Sequence, residues 1–135
     1  MPHPEITLAT KTIHNPADPR HFMRLLPVKR KVRISRSGQL IAESVNAIRM
    51  VEVARDVYDA VTYVPLPDVS GAISPVPDKQ THCPLKGNAH YFSVPDGTVI
   101  AWTYDEPLNF AKQLNGLIAF YPDEVTIEEI GAHEG

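Results

Sequence analysis

The first clear pattern in the chain is an alternation of apolar and polar residues over 28–44. A period of two residues is typical of a β-strand with one buried face. Ser37-Gly38 interrupts the alternation with residues that favour a tight turn. The pattern therefore predicts a β-hairpin.

Five later segments also have the composition of strands, because β-branched and aromatic residues are concentrated in them. Pro65 ends the first of these segments, since proline cannot donate a hydrogen bond to a neighbouring strand. Pro95-Asp96-Gly97 joins two others and predicts the clearest hairpin of the chain. The five segments are 57–64, 88–94, 98–104, 117–121 and 125–130.

Two segments carry a helical signal. Segment 44–55 fits either a helix or a strand in which Ile48, Met50 and Glu52 share one face, and we favour the strand. Segment 107–114 is the one predicted helix. A proline at its first position and a glycine just after its end support that assignment.

Proline-rich stretches separate these elements. Residues 1–27 contain five of the prolines and show no sustained period, so we expect an extended arm that lies over the domain or is partly disordered. Five more prolines between Pro65 and Pro84 predict an ordered loop of about twenty residues, and such loops commonly serve a site. We therefore expect an arm over 1–27, one domain over 28–131 and a tail over 132–135.

The length of 135 residues allows one hydrophobic core. Sequential strands joined by short turns predict a mainly β fold with antiparallel sheets. Cys83 is the single cysteine, which excludes an internal disulfide and suits a reducing compartment, so we expect a cytoplasmic protein. No secretion signal and no uninterrupted run of about 18 apolar residues is present, so we expect no membrane association.

The charge distribution argues against nucleic acid as a partner. The net charge is −3, and the basic residues are scattered except for one short run. That run consists of Lys29, Arg30, Lys31 and Arg33. The oligomeric state is not determined by the sequence, and a homodimer remains open.

The densest group of reactive side chains lies in residues 81–87, Thr-His-Cys-Pro-Leu-Lys-Gly. His82, Cys83 and Lys86 bring an imidazole, a thiol and an ammonium group to the start of the central hairpin. In an extended segment His82 and Cys83 point to opposite faces, so His90 is the better candidate base for Cys83. A buried structural cysteine and a solvated lysine are the simpler interpretations, and they stay open.

Aromatic residues are concentrated on the same hairpin. Trp102 and Tyr104 are two residues apart and share one face of a strand. Core packing is the commoner use of such rings, but their polar ends and the nearby Lys86 favour a pocket. The predicted ligand-binding residues are His82, Cys83, Lys86, Tyr91, Trp102 and Tyr104.

Neither a metal nor a cofactor is expected. His82, Cys83 and His90 do not have a ligand spacing such as Cys-x-x-Cys or His-Glu-x-x-His. Lys86-Gly87 lacks the Gly-x-x-x-x-Gly-Lys-Ser/Thr order of a phosphate-binding loop.

The order of residues 81–87, Tyr91, Trp102 and Tyr104, together with further positions along the chain, resembles that of the family called domain of unknown function 427. The resemblance extends over about Val32 to Ile127. Two features depart from the family pattern: Leu85 stands where an aromatic residue is usual, and Val64-Pro65-Leu66-Pro67 stands where a charged residue often precedes the Asp-Val pair. Both departures could alter a pocket. The resemblance is carried by residues 81–87, Tyr91, Ala101-Trp102-x-Tyr104, Pro107 and Ile118-Ala119-Phe120-Tyr121, together with Gly38, Ile41-Ala42-Glu43-Ser44, Tyr63-x-Pro65 and Asp68-Val69.

The resemblance implies a β-tent, in which two antiparallel sheets meet at a steep angle. Related tents are pinned by a zinc ion on four cysteines, which one cysteine cannot provide. We therefore expect a zinc-free tent with one short helix, closed by hydrophobic burial. The family is sometimes labelled nucleotidyltransferase-like, but the clustered carboxylates and phosphate cradle of that chemistry are not visible in the sequence.

These observations lead to a functional hypothesis: a domain that binds a small molecule or small chemical moiety in a polar and aromatic cleft. Whether it is an enzyme stays open. In an enzyme, His82 or His90 would exchange protons and Lys86 would hold an anionic group. The alternatives are a non-enzymatic protein-interaction module and a nucleotidyltransferase-like enzyme.

Overall fold

The structure, a computed structural model, describes residues 12–70 and 72–132. These residues form eleven strands and two short 3-10 helices, Leu66–Asp68 and Asn109–Leu114. The strands are β1 (Ile13–Asn15), β2 (Asp18–Pro27), β3 (Arg30–Arg36), β4 (Gln39–Ser44), β5 (Ile48–Val53), β6 (Val61–Pro65), β7 (Ser74–Cys83), β8 (Gly87–Ser93), β9 (Val99–Pro107), β10 (Leu117–Phe120) and β11 (Thr126–Ala132).

The strands build two sheets in which every paired neighbour is antiparallel. The larger sheet has eight strands in the order β1-β2-β5-β6-β10-β9-β8-β7, and the smaller has three in the order β11-β3-β4. The prediction of a mainly β fold with two antiparallel sheets is confirmed.

The main hydrophobic core lies between the two sheets. Val32 and Ile34 of β3 meet Val64, Ile118 and Phe120 of the larger sheet, and all five side chains are buried. Each buried aliphatic or aromatic side chain contributes about 1.5–3 kcal/mol relative to exposure in water. Alternation of buried residues along β3 is the pattern that predicted this hairpin from the sequence.

The opposite face of the eight-stranded sheet, here called the inner face, carries a second apolar cluster. Met23 of β2 and Tyr63 of β6 are buried in it. Leu85 enters from the turn between β7 and β8, and Leu114 from the second 3-10 helix. Residues from both ends of the strand order therefore meet over the inner face.

The eight-stranded sheet must be curled to allow this meeting. Glu52 on β5 and Lys86 in the β7–β8 turn are separated by four strand intervals, which amount to about 19 Å in a flat sheet. Their side chains together reach only about half that distance. The carboxylate and the ammonium nevertheless lie 2.5 Å apart, so the sheet bends round its inner face.

Gly87 allows the β7–β8 turn to fold inward. Its φ of +116° is unfavourable for other residues, and a Cβ there would lie 2.8 Å from the carbonyl oxygen of Glu106. The Lys86 carbonyl oxygen accepts a hydrogen bond of 3.0 Å from the Leu108 backbone. The backbone of the turn is therefore packed directly on the end of β9.

The N-terminal arm predicted over 1–27 is not separate from the sheet in its described part. Residues 12–27 contain β1 and β2, and β2 pairs with β5 from Phe22↔Val53 to Pro27↔Ile48. Prolines hid this strand, but the two within it lie at or near its ends, where a missing N–H is tolerated. Residues 1–11 lie outside the described part, as do 133–135 of the predicted tail, whereas Ala132 ends β11.

The long loop predicted between Pro65 and Pro84 is corrected in its second half, which forms β7. This strand lies at the edge of the sheet, and its pairing with β8 is interrupted between Pro75 and Gln80. An edge position tolerates proline because one side of the strand needs no partner.

Three further predictions were resolved by the structure. Segment 44–55 contains a strand, β5, rather than a helix. The strand predicted over 57–64 begins only at Val61, since Val57 forms just an isolated bridge with Val53. The predicted helix is 3-10 rather than α and is kinked at Ala111.

No helix in residues 12–70 and 72–132 is both long and apolar enough to cross a membrane.

We expect Gly87→Ala to lower the free energy of unfolding by about 3 kcal/mol, because backbone strain and a backbone clash add together. Urea denaturation of the purified variant measures the loss. Gly97→Ala is the control: Gly97 also has a positive φ, +91°, but nothing lies within 4 Å of the point where a methyl group would stand. It should cost about 1 kcal/mol, and equal losses at the two positions would contradict the close-packing argument.

Candidate functional site

A row of side chains crosses the inner face on four neighbouring strands. Tyr63 pairs with Ala119, Ala119 with Trp102, and Trp102 with Tyr91, on β6, β10, β9 and β8. Residues directly opposite each other in a sheet present their side chains on the same face. Ala119, with its small side chain, therefore lies between Tyr63 and Trp102 in this row.

The outer part of this row is only half-buried and is held by polar and ring contacts. The Trp102 and Tyr121 rings have centroids 4.6 Å apart. The Tyr91 hydroxyl lies 2.7 Å from the Thr81 hydroxyl, and the Lys79 ammonium lies 4.6 Å from the centre of the Tyr91 ring. Burial raises the pKa of the Tyr121 hydroxyl above its usual value.

A buried polar network, here called the clasp, closes the other end of the inner face. Glu52 accepts a hydrogen bond from Lys86 on one carboxylate oxygen, at 2.5 Å, and lies 2.8 Å from His21 through the other. The side chains of Lys86, Glu52 and His21 are only 8%, 11% and 14% exposed. Because water is largely excluded, each of these polar groups depends on its partner.

Asn15 fixes the orientation of His21 in the clasp. The Ala17 backbone N–H donates to the Asn15 side-chain oxygen at 2.9 Å, so the Asn15 amide nitrogen faces His21 Nδ1 at 3.3 Å. Since that nitrogen donates, Nδ1 accepts and Nε2 carries the hydrogen that is donated to Glu52. The β1–β2 turn therefore orients the buried Glu52 carboxylate through one imidazole ring.

Two tyrosines, Tyr63 of the aromatic row and Tyr104, lie near the clasp. Burial raises the pKa of Tyr63 and of Tyr104 far above the usual range, and nearby Glu52 and Cys83 add to the effect for both. The Tyr63 hydroxyl is fully buried and has no hydrogen-bond partner in the described residues. The Trp102 side chain acts in the other direction and lowers the pKa of Tyr63, but less than burial raises it. The Lys86 ammonium lies 5.8 Å from the centre of the Tyr104 ring.

Five of the six predicted ligand-binding residues lie on the inner face or at its rim. Lys86 and Tyr104 are buried there, while Tyr91 and Trp102 are half-buried. Cys83 is a partly buried member of the second apolar cluster. Lys86 is thus neither a solvated lysine nor a free point charge.

His82 and His90 do not join this group. His82 pairs with Asn88 in the register of β7 and β8, and its ring nitrogen lies 2.8 Å from the Asn88 side-chain oxygen. Thr81, one residue earlier, contacts Tyr91 on the inner face, so His82 points to the opposite face. His90 lies on that opposite face too, with Nδ1 2.5 Å from a carboxylate oxygen of Asp105. His82 and Trp102 therefore do not share the polar and aromatic cleft that the sequence predicted.

Two cavities border the Trp102–Tyr121 pair. One has a volume of about 130 Å³ and is lined by Trp102. Its remaining lining residues are Asp59, Ala60, Val61, Thr62, Phe120, Pro122 and Ile127. The other has a volume of about 300 Å³ and is lined by Lys79, Val99, Tyr121, Asp123 and Glu124.

Sequence reasoning missed the clasp partners of Lys86. Glu52 gave one signal, since it shares a strand face with Ile48 and Met50 and therefore had to be buried with them or at their edge. His21 and Asn15 gave none, because they lie in the stretch interpreted as an arm. Tyr63 was noticed as part of a strand and of the family pattern, but not as a residue of the site.

The described residues contain no group of three or more His, Cys, Asp or Glu side chains arranged to hold a metal ion. The carboxylate cluster that nucleotidyl transfer needs is thus not found in this part of the chain. What the inner face offers is a protonated phenol without a partner, a neutralised ion pair and a half-buried aromatic wall. These groups suit binding by shape and hydrogen bonding.

The fold and the inner face define a small, mainly β protein whose curled sheet encloses aromatic and polar side chains. The family described as Domain of unknown function (DUF427) matches residues 24–131. The chain belongs to this family. No curated protein matches it.

We expect Lys86→Met to destabilise the protein by about 3–5 kcal/mol, because it leaves the Glu52 carboxylate buried without its cation. The double variant Lys86→Met/Glu52→Leu should recover part of that loss, since no unpaired charge remains and only the buried His21 N–H is left without its acceptor. Urea denaturation of both variants and of Glu52→Leu gives the coupling energy. Arg33→Met is the control, because its pair with Glu43 is 43% and 36% exposed and is screened by solvent, so its loss should be much smaller than that of Lys86→Met. A loss as small as that of the control would show that the clasp does not close the sheet.

We expect stability to fall as the pH rises above 10.0, the ordinary pKa of tyrosine. The unfolded chain then releases phenolic protons that buried Tyr63 and Tyr104 retain, so the unfolded state is favoured by about 1.4 kcal/mol per pH unit for each of them. Urea midpoints between pH 8 and pH 11.5 measure the slope. Tyr63→Phe should reduce it by about a third to a half, because Tyr104 and the less buried Tyr121 still retain their protons. The control Tyr58→Phe, at a side chain 51% exposed, should not change it.

Proposed function

We propose that the protein binds a small, largely apolar molecule, or an apolar group of a larger one, in the cavity beside Trp102. The cavity itself carries the proposal, because it places unfilled space against the one tryptophan of the chain. Asp59, Ala60 and Pro122 in its lining are exposed, so the cavity opens to solvent and a molecule can enter it. A concave space with apolar walls beside a half-buried indole favours a small-molecule occupant.

The size of the cavity sets the size of that occupant. Its volume is about 130 Å³, and an apolar cavity of about 150 Å³ in another protein holds benzene. A single ring or a short branched alkyl group would fill it. The ligand, or the part of it that enters, is thus no larger than an amino-acid side chain.

The lining sets the chemistry. Val61, Phe120, Pro122 and Ile127 provide apolar walls, Trp102 provides a flat face, and Asp59 is the one formally charged lining residue. Asp59 is exposed, so a polar part of the ligand at that end would remain in contact with water. Binding by burial of apolar surface with an outward polar end fits this lining.

The clasp supports the proposal as a scaffold rather than as a contact. It joins β5 to the β7–β8 turn and so holds the curl of the sheet that carries Trp102. Rigid support of this kind reduces the ordering cost of binding. Lys86 and Tyr104 then act on the ligand only through the position of the aromatic row.

A protein-interaction module is the second candidate, favoured by exposed apolar residues near the cavity. Val57 and Tyr58, in the connection between β5 and β6, are 80% and 51% exposed. They directly precede Asp59 and Ala60, which line the cavity. A partner protein that covered these two side chains could insert one of its own side chains beside Trp102.

Benzene is the probe that tests the proposal. We expect a saturable change in Trp102 fluorescence and a shift of its indole N–H signal in NMR spectra, both unambiguous because the chain has one tryptophan. Val61→Phe should abolish the response by filling the cavity while leaving the protein folded. Val57→Phe, the same substitution at an exposed position nearby, should leave it unchanged.

Two results would contradict the proposal. One is a wild-type protein in which benzene perturbs neither signal up to its solubility. The other is an equal response in the wild type and in Val61→Phe, which would place the binding elsewhere.

A further inference from the structure

The largest of the described cavities, about 520 Å³, lies at the junction of the two sheets and far along the chain from Trp102. It is formed where the chain leaves β2 of the larger sheet and enters β3 of the smaller one. Its lining residues are Pro27, Val28, Lys29, Arg30, Arg49 and Glu129. We call it the basic groove.

The groove concentrates positive charge in an acidic protein. Its lining holds three cationic side chains and one carboxylate, a local excess of +2, whereas the whole chain has a net charge of −3. The excess therefore reflects local placement rather than a generally basic surface. A concave surface with charge of one sign attracts an ion of the other sign.

The one carboxylate of the groove, that of Glu129, holds Arg49 in position. One of its terminal nitrogens donates to Glu129, which links β5 of one sheet to β11 of the other. No other side-chain hydrogen bond of Arg49 occurs in the described residues, and a guanidinium has five N–H donors in a fixed plane. Its remaining donors can approach two oxygens of an anion at once.

The backbone that carries Lys29 is also fixed. Val28, just before it, is 6% exposed and its N–H donates to the Ala47 carbonyl oxygen at 2.9 Å. Pro27 restricts the φ angle one residue earlier. The two sheets therefore hold Lys29 against the groove rather than on a free loop.

Strand alternation divides the basic run of the sequence between two surfaces. Arg30 lines the groove, and Val32 and Ile34 follow it on the side that faces the larger sheet. Lys31 and Arg33 lie on the outer side of β3, where Arg33 pairs with Glu43. Half of the run thus belongs to the groove and half does not.

We propose that the basic groove binds the phosphate group of a small molecule. The excess of +2 matches the charge of −1.5 to −2 that a phosphate monoester carries at neutral pH, whereas a single carboxylate carries only −1. The Arg49 guanidinium meets two phosphate oxygens, and Lys29 and Arg30 neutralise the remaining charge from the open side. This site is independent of the cavity beside Trp102.

Titration with inorganic phosphate at low ionic strength tests the proposal, measured by calorimetry and by NMR shifts of the backbone at residues 28–30. We expect saturable binding of one phosphate by the wild type. Lys29→Gln/Arg30→Gln should weaken it at least tenfold, whereas Lys31→Gln/Arg33→Gln, which removes the same charge from the outer side of β3, should change it less than twofold. Arg49→Lys keeps the charge but loses the planar donors, and it should weaken binding at least threefold.

Equal weakening by the two double variants would overturn the proposal, because it would show attraction by the general surface charge. Binding by the wild type that does not saturate would overturn the proposal as well. So would displacement of the bound phosphate by chloride at equal ionic strength. Both double variants alter exposed or partly exposed side chains, so circular dichroism should show the fold unchanged.

Discussion

The ion pair between Lys86 and Glu52 is the constraint on which the inner face depends. It joins points that a flat sheet would hold about 19 Å apart, and it does so with groups that are almost completely removed from water. A buried pair of this kind adds little net stability but makes alternative arrangements costly, because either charge alone would be left without a partner. The curl of the sheet and the burial of Leu85 and Tyr104 in the second apolar cluster accompany this contact.

The two ends of the inner face have different physical characters. At the clasp, hydrogen bonds are short and the side chains are almost fully buried, so the polar groups there are already paired with one another. At the aromatic end, Tyr91, Trp102 and Tyr121 are half-buried, and Trp102 and Tyr121 border cavities. The cavities lie beside these half-buried rings and not beside the paired side chains of the clasp. This difference favours a binding surface beside Trp102 rather than at Lys86.

The sequence predicted the strands with local signals and missed those whose partners are distant. The hairpins around Ser37-Gly38 and Pro95-Asp96-Gly97 have turn residues and alternation within a few positions of each other. β2 has a local turn to the three-residue β1 but no alternation, and its longer partner β5 is reached through an intervening hairpin. β7 was hidden by prolines that only an edge strand tolerates. The candidate site divides in the same way: residues 81–87 were dense enough to notice, but Glu52 and His21 acquire meaning only when a curled sheet brings them to Lys86.

The position of β10 has a consequence for the order of assembly. In the eight-stranded sheet it lies between β6 and β9, so among the described residues it is the one strand whose backbone pairing joins the strands up to β6 to the strands β7, β8 and β9. A polypeptide emerging from the ribosome holds two antiparallel blocks without a common sheet until residues 117–120 are available. Closure of the eight-stranded sheet thus waits until residues 117–120 have been made, and it then has to overcome the loop-closure entropy of contacts that are distant along the chain.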